Sequence, residues 1–81
     1  MSLTYAVYLR IIQLCDEREL SLNKLCELSG VSQSTISNYA SNRSVNISCL
    51  PIYKICIYLN ITLSDFFNSS LFNKIDINLY K

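Results

Sequence analysis

A single glycine stands between two matching helix-start signals, and this arrangement constrains the fold more than any other part of the sequence. Ser21 and Ser32 are each preceded by an apolar residue and followed four positions later by another, which is the spacing of a hydrophobic staple. Gly30, the one glycine of the chain, can take the left-handed conformation that commonly ends a helix. The sequence therefore predicts a short helix over about residues 22–29, a tight turn, and a second helix from Ser32 to about residue 41.

Two further helices flank this pair. Over residues 5–18, apolar side chains recur at spacings of three and four, which is the period of one helical face. A similar stripe predicts a helix from Ser48 or Cys49 to about Leu59. Pro51 falls in the first turn of that helix, where a proline is tolerated because the first amides have no partner in the helix.

The C-terminal part begins with a capping signal and ends in an ambiguous tail. Thr62 is followed three residues later by an aspartate, which predicts the start of a short fifth helix. Beyond it, residues 75–79 alternate apolar and polar side chains with the period of a strand. We expect an extended arm there, with a helical turn near residues 71–72 as the alternative. The chain then divides into a domain over residues 1–67 and a tail over residues 68–81, a candidate dimerisation arm.

Composition limits the chemistry that the chain can perform. The 81 residues are 51% hydrophobic, enough for one compact domain, and their formal net charge of +1 predicts no partner by itself. There is no histidine, no glycine-rich phosphate loop and no carboxylate pair beside a nucleophile, so an enzyme is disfavoured. The apolar run over residues 49–61 is too short to span a membrane and is interrupted by Lys54. We expect a cytoplasmic protein that uses no membrane, cofactor or small-molecule ligand.

The four cysteines are expected to be reduced thiols rather than metal ligands. They are spaced irregularly, without a CxxC pair, and the chain has no histidine to complete a zinc site. Cys26 and Cys56 lie among leucine and isoleucine residues, where a small buried hydrophobic side chain belongs. We therefore predict no metal site, and we expect Cys15 and Cys26 to pack in the core rather than to sense redox state.

The two short helices and the segments around them resemble the λ-repressor-like (Cro/cI, XRE-type) helix-turn-helix family. The sequence LCELSGVSQSTIS over residues 25–37 follows the family pattern L-A-x-x-x-G-V-S-x-x-T-I-S. Downstream, IYKICIYLNITLSDFF over residues 52–67 is similar to the family's fourth and fifth helices. The resemblance covers about residues 8–67. It implies an all-α, compact five-helix fold whose second motif helix, at about residues 33–41, enters the major groove of double-stranded DNA.

The chain departs from the family pattern at several positions. Leu22 stands where the family often has a glutamine that contacts phosphate, and Cys15 replaces a basic residue. Ala40 and Asn42 replace the usual glutamate and glycine at the end of the second motif helix. Asn42 can still take the left-handed turn that a glycine would fill. Because cations are few, we expect DNA binding to depend only weakly on salt.

The second motif helix is predicted to have an apolar face and a polar face. With Ile36, Tyr39 and Ala40 inward, the helical period leaves the polar residues outward, where glutamine and asparagine can pair with adenine. A merely solvated helix usually carries Lys and Glu, which are better helix formers, so this composition favours a DNA-reading surface. The residues expected to contact DNA are Gln33, Ser34, Ser37, Asn38 and Ser41 at base edges, Ser32 and Thr35 at phosphates, and Arg43 at a phosphate or the groove edge.

The sequence thus predicts a sequence-specific transcriptional regulator of the repressor type that binds double-stranded DNA as a homodimer. Tyr53, Ile57 and Tyr58 lie off the inner stripe of the fourth helix, either at the rim of the core or at a dimer face. The alternative function is a protein-interaction module of the same fold, with weak or lost DNA binding, that holds another protein through the fourth helix and tail. The expected dimerisation residues are apolar side chains in excess of one small core: Phe66, Phe67, Leu71, Phe72, Ile75, Ile77 and Leu79.

Overall fold

The computed structural model describes residues 1–41 and 46–80. It confirms the all-α prediction, because five α-helices follow one another and the described residues contain no strand. Within the same residues, no helix is both long and apolar enough to cross a membrane. The elements are α1 (Leu3–Glu17), α2 (Leu22–Ser29), α3 (Gln33–Ala40), α4 (Cys49–Leu59) and α5 (Leu63–Phe67), followed by two 3₁₀ helices, Ser70–Asn73 and Ile77–Tyr80.

The capping signals around the glycine act as predicted. The Ser21 hydroxyl accepts a hydrogen bond of 3.1 Å from the Lys24 amide and begins α2. The Ser32 hydroxyl accepts one of 3.2 Å from the Thr35 amide and begins α3. Between them Gly30 has a φ of 79°, a left-handed conformation that a side chain would strain. This turn fixes how α3 leaves α2, and with it the direction in which α3 presents its outer face.

The first helix starts earlier than its apolar period indicates. The sequence predicts a helix over residues 5–18, whereas α1 begins at Leu3. The cause is Ser2, whose hydroxyl accepts a hydrogen bond of 3.2 Å from the Tyr5 amide and caps the helix. Periodicity does not register such a cap, because the capping residue lies outside the apolar stripe.

A left-handed asparagine and a capping box connect the last two α-helices. Asn60 ends α4 with φ 57° and ψ 44°, a conformation that asparagine adopts more readily than most residues. Thr62 accepts a hydrogen bond of 2.9 Å from the Asp65 amide, and Asp65 accepts one of 3.2 Å from the Thr62 amide. The predicted start of the fifth helix is therefore confirmed.

Every α-helix contributes at least one large, fully buried side chain to the core. One from each helix, in chain order, is Ile11, Leu25, Ile36, Ile55 and Phe66. Burial of a side chain of this size stabilises a fold by about 1.5–3 kcal/mol. Such docking, rather than propensity, holds α3, because its serine, threonine and asparagine residues are mediocre helix formers. In the packing, α1 lies against α3, and α2 lies against α4.

The prediction of an extended, strand-like arm in the tail is wrong. The tail forms two 3₁₀ helices, and the alternative of a helical turn near residues 71–72 describes the first of them. The physical reason is long-range packing, because Phe72 lies against the core and the Asp76 amide donates a hydrogen bond of 2.9 Å to the Met1 carbonyl. The Leu3 amide donates one of 2.7 Å to the Tyr80 hydroxyl. These contacts fold the tail back onto the start of α1.

Candidate nucleic-acid interface

The second motif helix, α3, has one buried face and one exposed polar face. Ile36 and Tyr39 are buried in the core, and Val31 is buried just before the helix. The opposite face carries only uncharged polar side chains, all of them exposed. They are Gln33, Ser34, Ser37 and Asn38, with Ser41 at the end of the helix. The orientation predicted for these residues from the helical period is confirmed.

Three hydroxyl groups meet at the start of α3. The Ser32 Oγ lies 2.8 Å from the Thr35 Oγ1 and 3.1 Å from the Ser34 Oγ, besides capping the Thr35 amide. The Ser32 hydroxyl is thus engaged within the protein, while Ser34 is exposed and Thr35 half-buried. The first amides of a helix also carry partial positive charge. This end of α3 is suited to a phosphate oxygen.

Positive charge around the helix-turn-helix unit is largely engaged in internal contacts. Lys24 pairs with Glu27 at 3.8 Å, and Arg18 pairs with Glu17 at 3.7 Å. Arg10 donates hydrogen bonds to backbone carbonyl groups of α5. The predicted contacts of Arg43 and the predicted turn at Asn42 lie outside the described residues. Among the described residues, the exposed face of α3 therefore offers only neutral hydrogen-bonding groups.

An apolar hollow, which the sequence did not predict, lies between α3 and the helices α1 and α2. Its volume is about 440 Å³ and it is open to solvent. Its walls combine apolar side chains with three members of the polar face, namely Tyr8, Leu22, Ile36 and Ala40 with Gln33, Ser34 and Ser37. The one sequence signal for it was Leu22, which departs from the family pattern at the first residue of α2.

The seven residues predicted for dimerisation separate into three groups. Phe66 is fully buried, and Phe72 packs against the core, so both belong to the fold of one protomer. Leu71 and Ile75 are half-buried. The exposed members are Phe67, Ile77 and Leu79, with 40%, 65% and 57% of their surface accessible.

A second exposed apolar surface follows the outer face of α4. Tyr53 and Ile57 are 50% and 60% exposed, and Tyr58 is 37% exposed. A shallow groove of about 310 Å³ is lined by Lys54, Ile57 and Tyr58 of α4 and by Leu28 and Ser29 of α2. The sequence left open the rim of the core or a dimer face for Tyr53, Ile57 and Tyr58, and their exposure disagrees with the first of these interpretations.

Three of the four cysteines are buried side chains of the core. Burial raises the pKa of the Cys15, Cys26 and Cys56 thiols above 9.0, the ordinary value, and so keeps them protonated at neutral pH. Cys49, at the start of α4, is exposed. The described residues include no group of three or more His, Cys, Asp or Glu side chains placed to hold a metal ion.

Two helices joined by a left-handed glycine turn, the second of them with a buried stripe and an exposed polar face, define a helix-turn-helix DNA-binding domain. The chain belongs to the family of Cro/C1-type HTH DNA-binding domains, whose model matches residues 10–69. The fold is similar to the crystal structure of protein 11 of prophage Lp1, with a TM-score of 0.79 and 28% sequence identity. That similarity covers 93% of this chain and 100% of the prophage protein. No curated protein gives a match.

Proposed function

We propose that this protein is a sequence-specific transcriptional regulator that binds double-stranded DNA as a homodimer and acts as a repressor. The observation that carries the proposal is the exposed face of α3, which consists of uncharged hydrogen-bonding side chains on a helix anchored by Ile36 and Tyr39. A helix held in this way can lie in the major groove, where base edges present their donors and acceptors.

Each polar side chain of α3 has a role that its chemistry suits. Gln33, at the first position of the helix, and Asn38, one and a half turns later, pair with adenine through their amide groups. Ser34 and Ser37 are short enough to let the backbone approach the bases, and each can donate or accept a hydrogen bond. Thr35 contacts a phosphate near the start of α3, and Ser41 contacts a base edge at its end. Arg43, which follows the helix in the sequence, supplies a cation for a phosphate or the groove edge.

A second copy of the chain supplies what one reading helix lacks. One α3 presents few contacts, and the cations that would strengthen a monomer's hold on phosphates are scarce. Phe67, Ile77 and Leu79 are exposed apolar side chains that a partner protomer would cover. In a homodimer, two α3 helices enter successive major grooves about 34 Å apart. Bound in this way, the protein would repress simply by excluding other proteins from the site.

Selection of bound fragments from a random DNA pool, at two salt concentrations, tests the proposal. We expect enrichment of one sequence with two-fold symmetry, whose half-sites are centred about one helical turn apart. Retention of DNA with no enriched sequence would exclude specific readout, and enrichment of a single unsymmetrical half-site would exclude the homodimer.

The exposed face of α4 favours a second candidate, a protein-interaction module with weak or lost DNA binding. Tyr53 and Ile57 are at least half exposed on a helix that carries no acidic residue, and such apolar surface usually marks an interface. This function predicts that the random pool yields no enrichment. It also predicts that Ile57→Asp abolishes binding of the partner protein. The double change of Gln33 and Asn38 to alanine should leave that binding intact.

A further inference from the structure

We propose that the apolar hollow beside α3 receives the 5-methyl group of a thymine, in the base pair next to the one that Gln33 reads. The inference rests on the proposed DNA-binding function and adds a specificity-determining residue, Leu22, that lies outside the reading helix. It follows from where the hollow lies, what lines it and what the major groove offers.

The hollow is continuous with the proposed reading face. Gln33, Ser34 and Ser37 form part of its wall and belong to the exposed side of α3. A DNA duplex lying against these three side chains would therefore also cover the opening of the hollow. The hollow measures about 440 Å³ and is open to solvent, so it has room for a methyl group.

The apolar walls are held in place by the core. Leu22 is the first residue of α2, and both it and Tyr8 of α1 are half-buried against the core cluster. Ile36 also lines the hollow and is fully buried. Since these carbon groups belong to three different helices, packing presets their positions and DNA binding need not order them.

The chemistry of the apolar side of the hollow suits a methyl group. None of its lining residues carries a charge, and one side of it is formed by Tyr8, Leu22, Ile36 and Ala40. In the major groove, nitrogen and oxygen atoms dominate the base edges, and the apolar exception is the thymine methyl group. Beside a glutamine that pairs with adenine, such a pocket would make the protein prefer A·T pairs at neighbouring positions.

Replacement of each operator thymine, one at a time, by deoxyuridine removes only this methyl group and tests the inference. In the operator obtained by selection, we expect each half-site to contain one thymine whose single replacement weakens binding of the unmodified protein about fourfold. This is the loss that corresponds to one buried methyl-sized group. The Leu22→Ala protein should bind the thymine operator less tightly and bind the thymine and uracil forms equally well. Fluorescence anisotropy titration measures both ratios.

The matched control is Leu28→Ala, which shortens another leucine of α2 at a position outside the hollow. It should keep the full preference for thymine. Each preference is the ratio of two affinities, for the thymine and the uracil operator, measured on one protein preparation. Partial unfolding of a variant lowers both affinities equally and leaves the ratio unchanged. Leu22→Gln, which keeps side-chain length, serves as a second variant and should also lose the preference.

Two results would overturn the inference. One is equal binding of the thymine and uracil forms by the unmodified protein at every position. The other is a thymine preference in Leu22→Ala equal to that of the unmodified protein, which would place the methyl contact elsewhere. If Leu22→Ala keeps that preference but binds the thymine and uracil operators more weakly by the same factor, Leu22 contacts the sugar backbone instead. Failure of the proposed function itself is distinguishable, because then no operator is selected at all.

Discussion

The Arg10 Nε donates a hydrogen bond of 2.7 Å to the carbonyl oxygen of Phe66 and so ties α1 to the end of α5. A second bond, of 2.8 Å, runs from the same guanidinium group to the carbonyl of Asp65. The last carbonyl groups of a helix have no partner within it, and a guanidinium group satisfies them while opposing their partial negative charge. One of the few cations of the chain is therefore structural and unavailable to DNA.

Replacement of Arg10 by alanine should lower the free energy of unfolding by about 1–2 kcal/mol, because charge-assisted hydrogen bonds to two carbonyl groups are lost at a partly exposed site. Urea denaturation followed by circular dichroism measures this change. The control is Lys24→Ala, whose exposed ion pair with Glu27 should contribute less than about 0.5 kcal/mol. Equal effects of the two substitutions would contradict the role of Arg10.

Cys49 should be the fast-reacting thiol of the native protein. A brief treatment with iodoacetamide, followed by mass spectrometry, should modify Cys49 and leave Cys15, Cys26 and Cys56 unmodified until denaturant is added. The three buried thiols are shielded, and their raised pKa values reduce the thiolate form that reacts. Modification of Cys56 at the rate of Cys49 without denaturant would show that the core opens.

The affinity for operator DNA should fall only weakly with salt. If each protomer neutralises about two phosphates, the slope of log K against log salt concentration is about −4 for the homodimer. Arg43→Ala should flatten this slope by about 2 units, one phosphate for each protomer, whereas Lys54→Ala on the outer face of α4 should not change it. A slope near −10 would mean that this chain holds DNA through charge contacts that its described residues do not suggest.

The tail, rather than α4, should form the dimer interface. Ile77→Asp places a charge on an exposed tail residue, and Ile57→Asp makes the same change on α4 at a residue of similar exposure. Sedimentation equilibrium should show Ile77→Asp shifted toward monomer and Ile57→Asp unchanged, because a buried unpaired charge opposes association. The reverse result would move the interface to α4 and the groove beside it.

Local signals explain why most of the fold could be predicted from the sequence. Ser21, Gly30, Ser32 and Thr62 each act on residues within a few positions, so their effect is visible in a short stretch of sequence. The exposed and buried sides of α3 followed from the helical period for the same reason. Here the local preference and the tertiary structure agree.

The features that the sequence did not predict depend on residues far apart along the chain. The tail alternates like a strand, but its conformation is set by the contact between Asp76 and Met1. Likewise, Arg10 meets the end of α5 across more than fifty residues. The hollow beside α3 exists only because Tyr8 and Leu22 come from two other helices. No local period or cap contains this information.

The central claim is that the outer face of α3 reads DNA, and the affinity of the Gln33→Ala, Asn38→Ala double variant for the selected operator tests it most directly. Both side chains are exposed, so the double variant should fold with a stability within about 0.5–1 kcal/mol of the original, as should the control Asn73→Ala. Loss of two amide contacts to bases in each protomer, four in the homodimer, should weaken operator binding by about 4 kcal/mol or more, roughly 1,000-fold, while the control binds normally. Unchanged operator binding by the double variant would contradict the assignment of α3 as the reading helix.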